Sequence, residues 1–404
     1  MLTVKTPQQA TQIINENISS YEKICEIVSI NNLLGRVLFC DICSNEFVPD
    51  FDRSTVDGYA VVASSTFGCS DSIPAILDYK GEVEMGQEPD FEIDKSSCAY
   101  VPTGGQIPKG ANAMVMIEYA EDFGDNTRAM LKPSAPSQHI IFRGDDVKKD
   151  QIILTAGTIL QTKDIGTLSA LGISEVMVCK RPRVGVISTG DELIDITQPL
   201  KKSQIRDVNT YVLCSAIESA GCEPVKIGIV KDDFKALQTA VQKSLKDCDV
   251  LLVSGGSSVG VKDATAKVFE SLGEVYFHGI AIKPGKPTIF GKIGEKSVFG
   301  LPGHPLASYF IFDLFIRPML YKIQNAKEFR NSTVAKLTAP IPSNHGRQEC
   351  VPVRIFEQNE EFLAEPIFNK SGLISVLAKA QGYIVIDRDC EGLSKDDLVT
   401  VTLL

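Results

Sequence analysis

The sequence predicts a multidomain fold of mixed α/β and β structure. A central α/β domain is expected over residues 181–326, and a β-rich domain over 46–144. The latter is inserted into a discontinuous domain built from 1–45 and 145–180, and a small β-barrel follows over 327–404. Three observations lead there. A chain of 404 residues exceeds what one hydrophobic core covers. Strand-length apolar runs alternate with amphipathic helical stretches through 181–326, the pattern of a mainly parallel sheet with helices on its faces. The stretches 46–144 and 327–404 instead carry short apolar runs broken by turn residues, the composition of strands and loops.

In chain order, residues 1–45 give a polar amphipathic helix and then a strand around 37–42. No apolar h-region opens the chain, so no secretory leader is expected. Residues 46–144 are rich in Gly, Pro and Ser, with short apolar runs such as 113–117, and suggest strands carrying long functional loops. The polar segment 122–138, with two prolines, reads as a turn and connection. Residues 145–180 return to a strand and a short helix at 163–171, and are expected to rejoin 1–45.

The α/β region begins with a strand at 183–188. A helix follows at 209–220, with Val212, Leu213, Ala216, Ile217 and Ala220 on one face and Gly221 as its stop. After a strand at 225–230, Asp232 or Asp233 caps a helix whose buried stripe is Phe234, Leu237, Val241 and Leu245. A strand at 249–253 runs into a Gly/Ser turn and a helix at 264–272. The apolar helix at 306–320 holds Asp313 and Arg317 and is too short to span a bilayer. Beyond 327, short alternating strands separated by Pro340, Pro342 and Pro366 suggest the barrel.

Net charge is −10, which argues against a nucleic-acid binder and requires any anionic ligand to meet a local basic pocket. Eleven scattered cysteines, an odd number, fit reduced thiols in a cytoplasmic protein. The lone C-x-x-C, Cys40 to Cys43, has no second pair to complete a zinc site and reads as ordinary half-buried thiols.

The turn Ser254-Gly255-Gly256-Ser257-Ser258-Val259-Gly260 leaves a strand and precedes a helix. Its glycines let backbone N–H groups turn towards an anion, and the helix N-terminus adds positive potential. It fails as a Walker loop: Val261 stands where the lysine belongs, and Asp263 replaces the metal-binding hydroxyl. The alternative is a plain strand-to-helix turn; its place at the carboxyl edge of the sheet favours the phosphate reading. Carboxylates gather at the same edge: Asp191 and Glu192 after the first strand, Asp232 and Asp233 after the second, and Asp263 after the glycine turn. Each would serve as a cap or a solvated charge, but three strands delivering acids beside a phosphate turn suggest Mg²⁺. Lys283-Pro284-Gly285-Lys286-Pro287 holds two ammonium groups close, which is favourable when an anion sits between them. In Leu301-Pro302-Gly303-His304-Pro305, Pro305 suits the first helical position, and the free N–H groups there form another anion site. His304 is open between cap, ligand contact and acid–base group, with contact favoured over catalysis.

Together these residues resemble the molybdopterin molybdenumtransferases, the MoeA-like family that includes the enzyme domain of gephyrin. The resemblance rests on TVDGYAV at 55–61, PTGGQIPKGANAMVM at 102–116, FRGDDV at 142–147, STGDEL at 188–193, SGGSSVG at 254–260, AIKPGKP at 281–287 and GLPGHP at 300–305, in the expected order over nearly the whole chain. It implies an elongated discontinuous domain, an inserted β-rich domain, a molybdopterin-binding-type α/β domain and a C-terminal barrel. It implies a homodimer, with each cleft between the α/β domain of one subunit and the inserted domain of the other. The implied substrates are adenylylated molybdopterin and molybdate, with Mg²⁺ as cofactor and AMP as the leaving product. Neither nucleic acid nor membrane is involved. An adenylyltransferase that makes the substrate is a possible protein partner.

By motif match, Glu192, Asp232 and Asp263 belong near the phosphates and metal. Lys283, Lys286, Pro302, Gly303, His304, Pro305 and Ser371 would line the anion site with Ser254, Gly255, Gly256, Ser257 and Gly260 of the turn. Asp57, Thr103 and Asp146 would come from the partner subunit. The sequence departs from the family at His304, usually Asn, at Val56, usually Met, and at Ser257, often Val. Pro352 stands where a second arginine often follows Arg347. Two other readings compete. One is a different enzyme of the α/β superfamily, adenylylating molybdopterin or hydrolysing a nucleotide pyrophosphate as competence-damage-type proteins do. The other is a scaffold without activity. The first shares the α/β domain but does not need the motifs in 46–144 and 327–404. The second is expected to carry an appended self-associating region or long linker, which the sequence does not show.

Overall fold

The computed structural model describes residues 4–18, 24–255, 264–328, 330–368 and 372–404. The chain divides into two compact units. One comprises Asp41–Thr155 and Lys163–Ser174; the other comprises Met1–Cys40, Ala156–Thr162 and Glu175–Leu404.

In the larger unit a six-stranded sheet runs in the order Glu223–Val230, Arg183–Thr189, Val250–Ser254, Lys296–Leu301, Ile289–Ile293, Glu274–His278. The first four strands are parallel and the last two antiparallel, as expected of a mainly parallel sheet. The central strands Arg183–Thr189 and Val250–Ser254 read as apolar runs because both faces are buried. Along Val250–Ser254 the side chains of Val250 and Leu252 enter one core, and those of Leu251 and Val253 enter another. The first core takes Leu213 and Ile217 of helix Asn209–Ser219 and Phe310 of helix Pro305–Ile311. The second takes Leu237 and Val241 of helix Phe234–Ser244, and Val268 and Phe269 of helix Ala264–Leu272. Asp233 is the residue that caps Phe234–Ser244: its carboxylate accepts from the Ala236 N–H at 2.9 Å.

The C-terminal strands close on themselves. Ser332–Leu337 pairs with Glu361–Pro366 and Leu398–Leu403; Gln348–Gln358 pairs with Glu361–Pro366 and Gly382–Ile386; Gly382–Ile386 meets Leu398–Leu403. This closed five-stranded barrel packs Leu337, Val353, Ile384 and Val401 inside. The two-residue strand Ile282–Lys283 of the α/β region adds to the edge of Gln348–Gln358.

The smaller unit holds a six-stranded sheet that includes Gly58–Val61, Ser97–Val101 and Ala113–Met116. Its entry and exit, Ile42–Cys43 and Ile152–Leu154, pair with each other. The chain before and after it also pairs, Leu38 with the 157–158 turn and Cys25–Ser29 with Glu175–Cys179, so the β-rich part is an insertion. Two expectations need correcting. The segment 122–138 is not only a connection: Thr127–Met130 is a strand paired with Ala75–Glu82. Cys40 and Cys43 are exposed, not half-buried. All eleven cysteines are free thiols, and among the described residues no group of three or more His, Cys, Asp or Glu side chains is placed to hold a metal.

Candidate active site

The parallel strands present their carboxyl ends in one row. Thr189 is in register with Val230, Ser188 with Ser254, and Ser254 with Leu301. The segments that follow are the ones singled out by motif. Because Arg183–Thr189 lies between Glu223–Val230 and Val250–Ser254, the connections that leave Arg183–Thr189 and Val250–Ser254 run to opposite sides, and the crevice opened by such a reversal is where open α/β sheets bind ligands. A cleft of about 1330 Å³ lies there.

Glu192 and Asp232 line this cleft from adjacent strand ends. Ser254 and Gly255 form its floor at the start of the glycine turn, and Gly255 has φ +99°. A Cβ there would lie 2.1 Å from the Thr189 carbonyl oxygen, so only glycine lets the two strand ends close. Pro302, Gly303, His304 and Pro305, which follow the adjacent strand, line the cleft beside Gly255. His304 is the N-cap by position, but its side chain makes no capping hydrogen bond. Gly256, Ser257, Gly260, Asp263 and Ser371 lie outside the described residues.

Lys283 and Lys286 both reach the cleft from the KPGKP turn. The anion beside Lys283 is one the sequence did not announce. Its Nζ meets Glu349 Oε1 at 2.5 Å, and the other oxygen of Glu349 accepts from Ser343 Oγ at 3.2 Å. Glu349 is buried and belongs to the barrel strand that pairs with Ile282–Lys283. The barrel therefore fixes one of the two lysines and brings Arg347 to the same cleft.

Sequence reasoning missed a polar cluster in the lining of the cleft. Ser188 Oγ donates to Asp207 Oδ1 at 2.8 Å, and the Thr210 N–H donates to the same oxygen at 3.1 Å. Asn209 Nδ2 donates to Ser254 Oγ at 2.6 Å and to the Gly303 carbonyl at 2.9 Å. One carboxamide thus ties the helix start to two strand-end turns. The available signal was Asp207-x-Asn209 directly ahead of an amphipathic helix, a pairing that reads equally well as an ordinary helix start.

The smaller unit carries the remaining candidates. The Thr103 N–H donates to Asp57 Oδ1 at 2.8 Å, joining the TVDGYAV and PTGG loops, which are further pinned by Gly104 N–H to Ser54 O and Ser54 N–H to Gly105 O. Gly58 sits so close to the neighbouring strand that a Cβ would lie 2.1 Å from the Val115 carbonyl oxygen. Burial, and then the charge of Asp57, hold the Tyr100 phenol above its ordinary value. Asp146 follows the strand Ile140–Ile141, which pairs with Arg53–Ser54. Asp57, Thr103 and Asp146 are all exposed.

A parallel sheet covered on both faces, with glycine, lysine and proline turns converging at its carboxyl edge, defines a class of α/β proteins that handle anionic, phosphate-bearing ligands. The sequence matches the MoeA N-terminal region (domain I and II) over residues 5–172, the probable molybdopterin binding domain over 185–322, and the MoeA C-terminal region (domain IV) over 334–404. The chain belongs to the MoeA family. It is 30% identical to the molybdopterin molybdenumtransferase of Bacillus subtilis over 412 residues, covering 100% of this chain and 96% of that one. To the molybdopterin molybdenumtransferase of Haemophilus influenzae it is 32% identical, with 93% of each chain covered. The crystal structure of the molybdopterin biosynthesis MoeA protein of Pyrococcus horikoshii superimposes with a TM-score of 0.87 at 34% identity over 100% of both chains. No helix among the described residues is long and apolar enough to cross a membrane.

Proposed function

We propose that this chain is a molybdopterin molybdenumtransferase that inserts molybdate into adenylylated molybdopterin and releases AMP, the last common step of molybdenum cofactor biosynthesis. The observation that carries the reading is the composition of the cleft. Three carboxylates, Glu192, Asp207 and Asp232, and four cations, Arg206, Lys283, Lys286 and Arg347, line the cleft together with the strand-end turns. Molybdate and a phosphoanhydride are both anions, and their approach is opposed by charge. Fixed cations beside the reacting oxygens lower that barrier without reorganising during the reaction. Lys283, held by Glu349, is such a preorganised charge. Ser254 and Gly255, continued by Gly256, Ser257 and Gly260, would cradle a phosphate, and Pro302, Gly303, His304, Pro305 and Ser371 would border the oxyanion.

Glu192 and Asp232 fit Mg²⁺. They bring hard carboxylate oxygens to one cleft from adjacent strand ends, and Mg²⁺ commonly takes one or two carboxylates, completing its shell with water and substrate phosphate. Asp263, three residues beyond Gly260, is the third candidate ligand. Bound there, the ion would act as a Lewis acid on the phosphoanhydride. We assign the chain to domains 1–45 with 145–180, 46–144, 181–326 and 327–404, and to a homodimer in which Asp57, Thr103 and Asp146 reach the cleft across the subunit interface. Free thiols at all eleven cysteines support a reducing, cytoplasmic setting. An adenylyltransferase partner would supply the substrate.

The direct test incubates the protein with adenylylated molybdopterin and Mg²⁺, with and without molybdate. AMP release that depends on molybdate is expected. Consumption of ATP with free molybdopterin, and no molybdate-dependent AMP, would assign adenylylation instead.

A further inference from the structure

Thr189 and Asn209 line the cleft, and each carries a buried side-chain atom, Oγ1 and Oδ1, without a hydrogen-bond partner among the described residues. The two residues are only 3% and 8% exposed. Folds pair nearly all such buried groups, because an unpaired one opposes folding. The orientation of Asn209 is fixed by its neighbours: a carbonyl oxygen only accepts, so the amide group 2.9 Å from the Gly303 oxygen must be the donor. Oδ1 is therefore an acceptor with nothing to accept from. A phosphate or molybdate oxygen brings another lone pair and does not satisfy it; an N–H or O–H does.

We propose that Asn209 determines specificity by receiving a neutral hydrogen-bond donor from the organic part of the ligand beside the phosphate cradle, with the Thr189 hydroxyl, which can donate or accept, bonding the same organic part. This rests on reading the cleft as the adenylylated molybdopterin site. The donor belongs either to the pterin ring or to the nucleoside, which carry the same N–H and O–H chemistry. The protein supplies its own control. Ser297 Oγ is also buried and unpaired, but Ser297 is not among the residues lining the cleft and pairs with Val250, at the opposite end of the strands from Ser254.

The experiment uses the full-length chain and its Thr189→Val, Thr189→Ser, Asn209→Ala and Ser297→Ala variants. Each is titrated calorimetrically with AMP, 6-hydroxymethylpterin, inorganic phosphate and molybdate, with and without Mg²⁺, and melted alongside. Thr189→Val breaks no hydrogen bond in the described structure and should melt no lower than the parent. Its affinity for AMP or for the pterin should fall about tenfold, the worth of one hydrogen bond, with phosphate and molybdate nearly unchanged. Which organic probe suffers identifies the source of the donor. Thr189→Ser should restore binding. Asn209→Ala should melt lower, having lost its bonds to Ser254 and Gly303, yet show the same selective loss below its transition. Ser297→Ala should bind every probe as the parent does. Equal losses for the anions, losses confined to Mg²⁺-containing titrations, or no loss at all would overturn the proposal alone. A parent that binds phosphate but neither organic probe would sink the reading of the cleft, and the proposal with it.

Discussion

Gly255 shows how a single residue sets the site. Its φ of +99° and the 2.1 Å approach of a notional Cβ to the Thr189 carbonyl are independent reasons for excluding a side chain. Gly255→Ala must move one of two neighbouring strand ends. The expected cost is roughly 2 kcal/mol or more, read from urea unfolding, together with loss of phosphate binding. A variant as stable as the parent would mean the turn relaxes freely. The motif-bearing residues were legible because glycine, proline and lysine at tight spacing advertise unusual backbone and charge. Asp207, Asn209 and Glu349 were not. A polar residue at a helix start or in an alternating strand looks solvated until its burial is known, and Glu349 is buried in a strand flanked by Ile282–Lys283, some 65 residues earlier, and by Gly382–Ile386.

At the scale of elements, legibility followed side-chain burial. The central strands were readable because both of their faces are apolar. Cys25–Ser29 was missed because its side chains are almost all exposed; backbone pairing with Glu175–Cys179 holds it. Thr127–Met130 was missed because Arg128 makes it look polar, although its guanidinium lies 4.0 Å over the Tyr79 ring. The expected helix at 306–320 is in fact helix Pro305–Ile311, a π turn at Phe312–Ile316, and helix Arg317–Ile323. The π turn carries the buried Asp313, which accepts from Arg317 Nε at 2.7 Å and from the Tyr383 hydroxyl of the barrel at 2.6 Å. Burial, and then the charge of Asp313, push the Tyr383 phenol well up, so it remains a donor. Tyr383→Phe strips one donor from a buried carboxylate and should cost about 1.5–3 kcal/mol in denaturant unfolding. A cost below about 0.5 kcal/mol, the scatter of surface changes, would show that water replaces the phenol.

At the scale of the whole molecule, the candidate residues belong to two compact units. Glu192, Asp232 and the lysines lie in one; Asp57, Thr103 and Asp146 lie in the other. Each unit has its own core. The proposed homodimer makes a quantitative prediction about their cooperation. Glu192→Gln and Asp57→Asn should each abolish molybdate-dependent AMP release as pure homodimers. When the two variants are mixed equally under conditions that exchange subunits, half of the dimers become mixed. If each cleft draws Glu192 from one subunit and Asp57 from the other, a mixed dimer has one doubly altered cleft and one intact cleft. Activity should then return to about a quarter of the parent value, half of the sites in half of the dimers. If both residues serve a cleft within one chain, every cleft in the mixture retains a lesion and activity stays at the level of the separate variants. A monomer by light scattering, at 43.9 kDa and not twice that, would reject the shared cleft before any mixing was attempted.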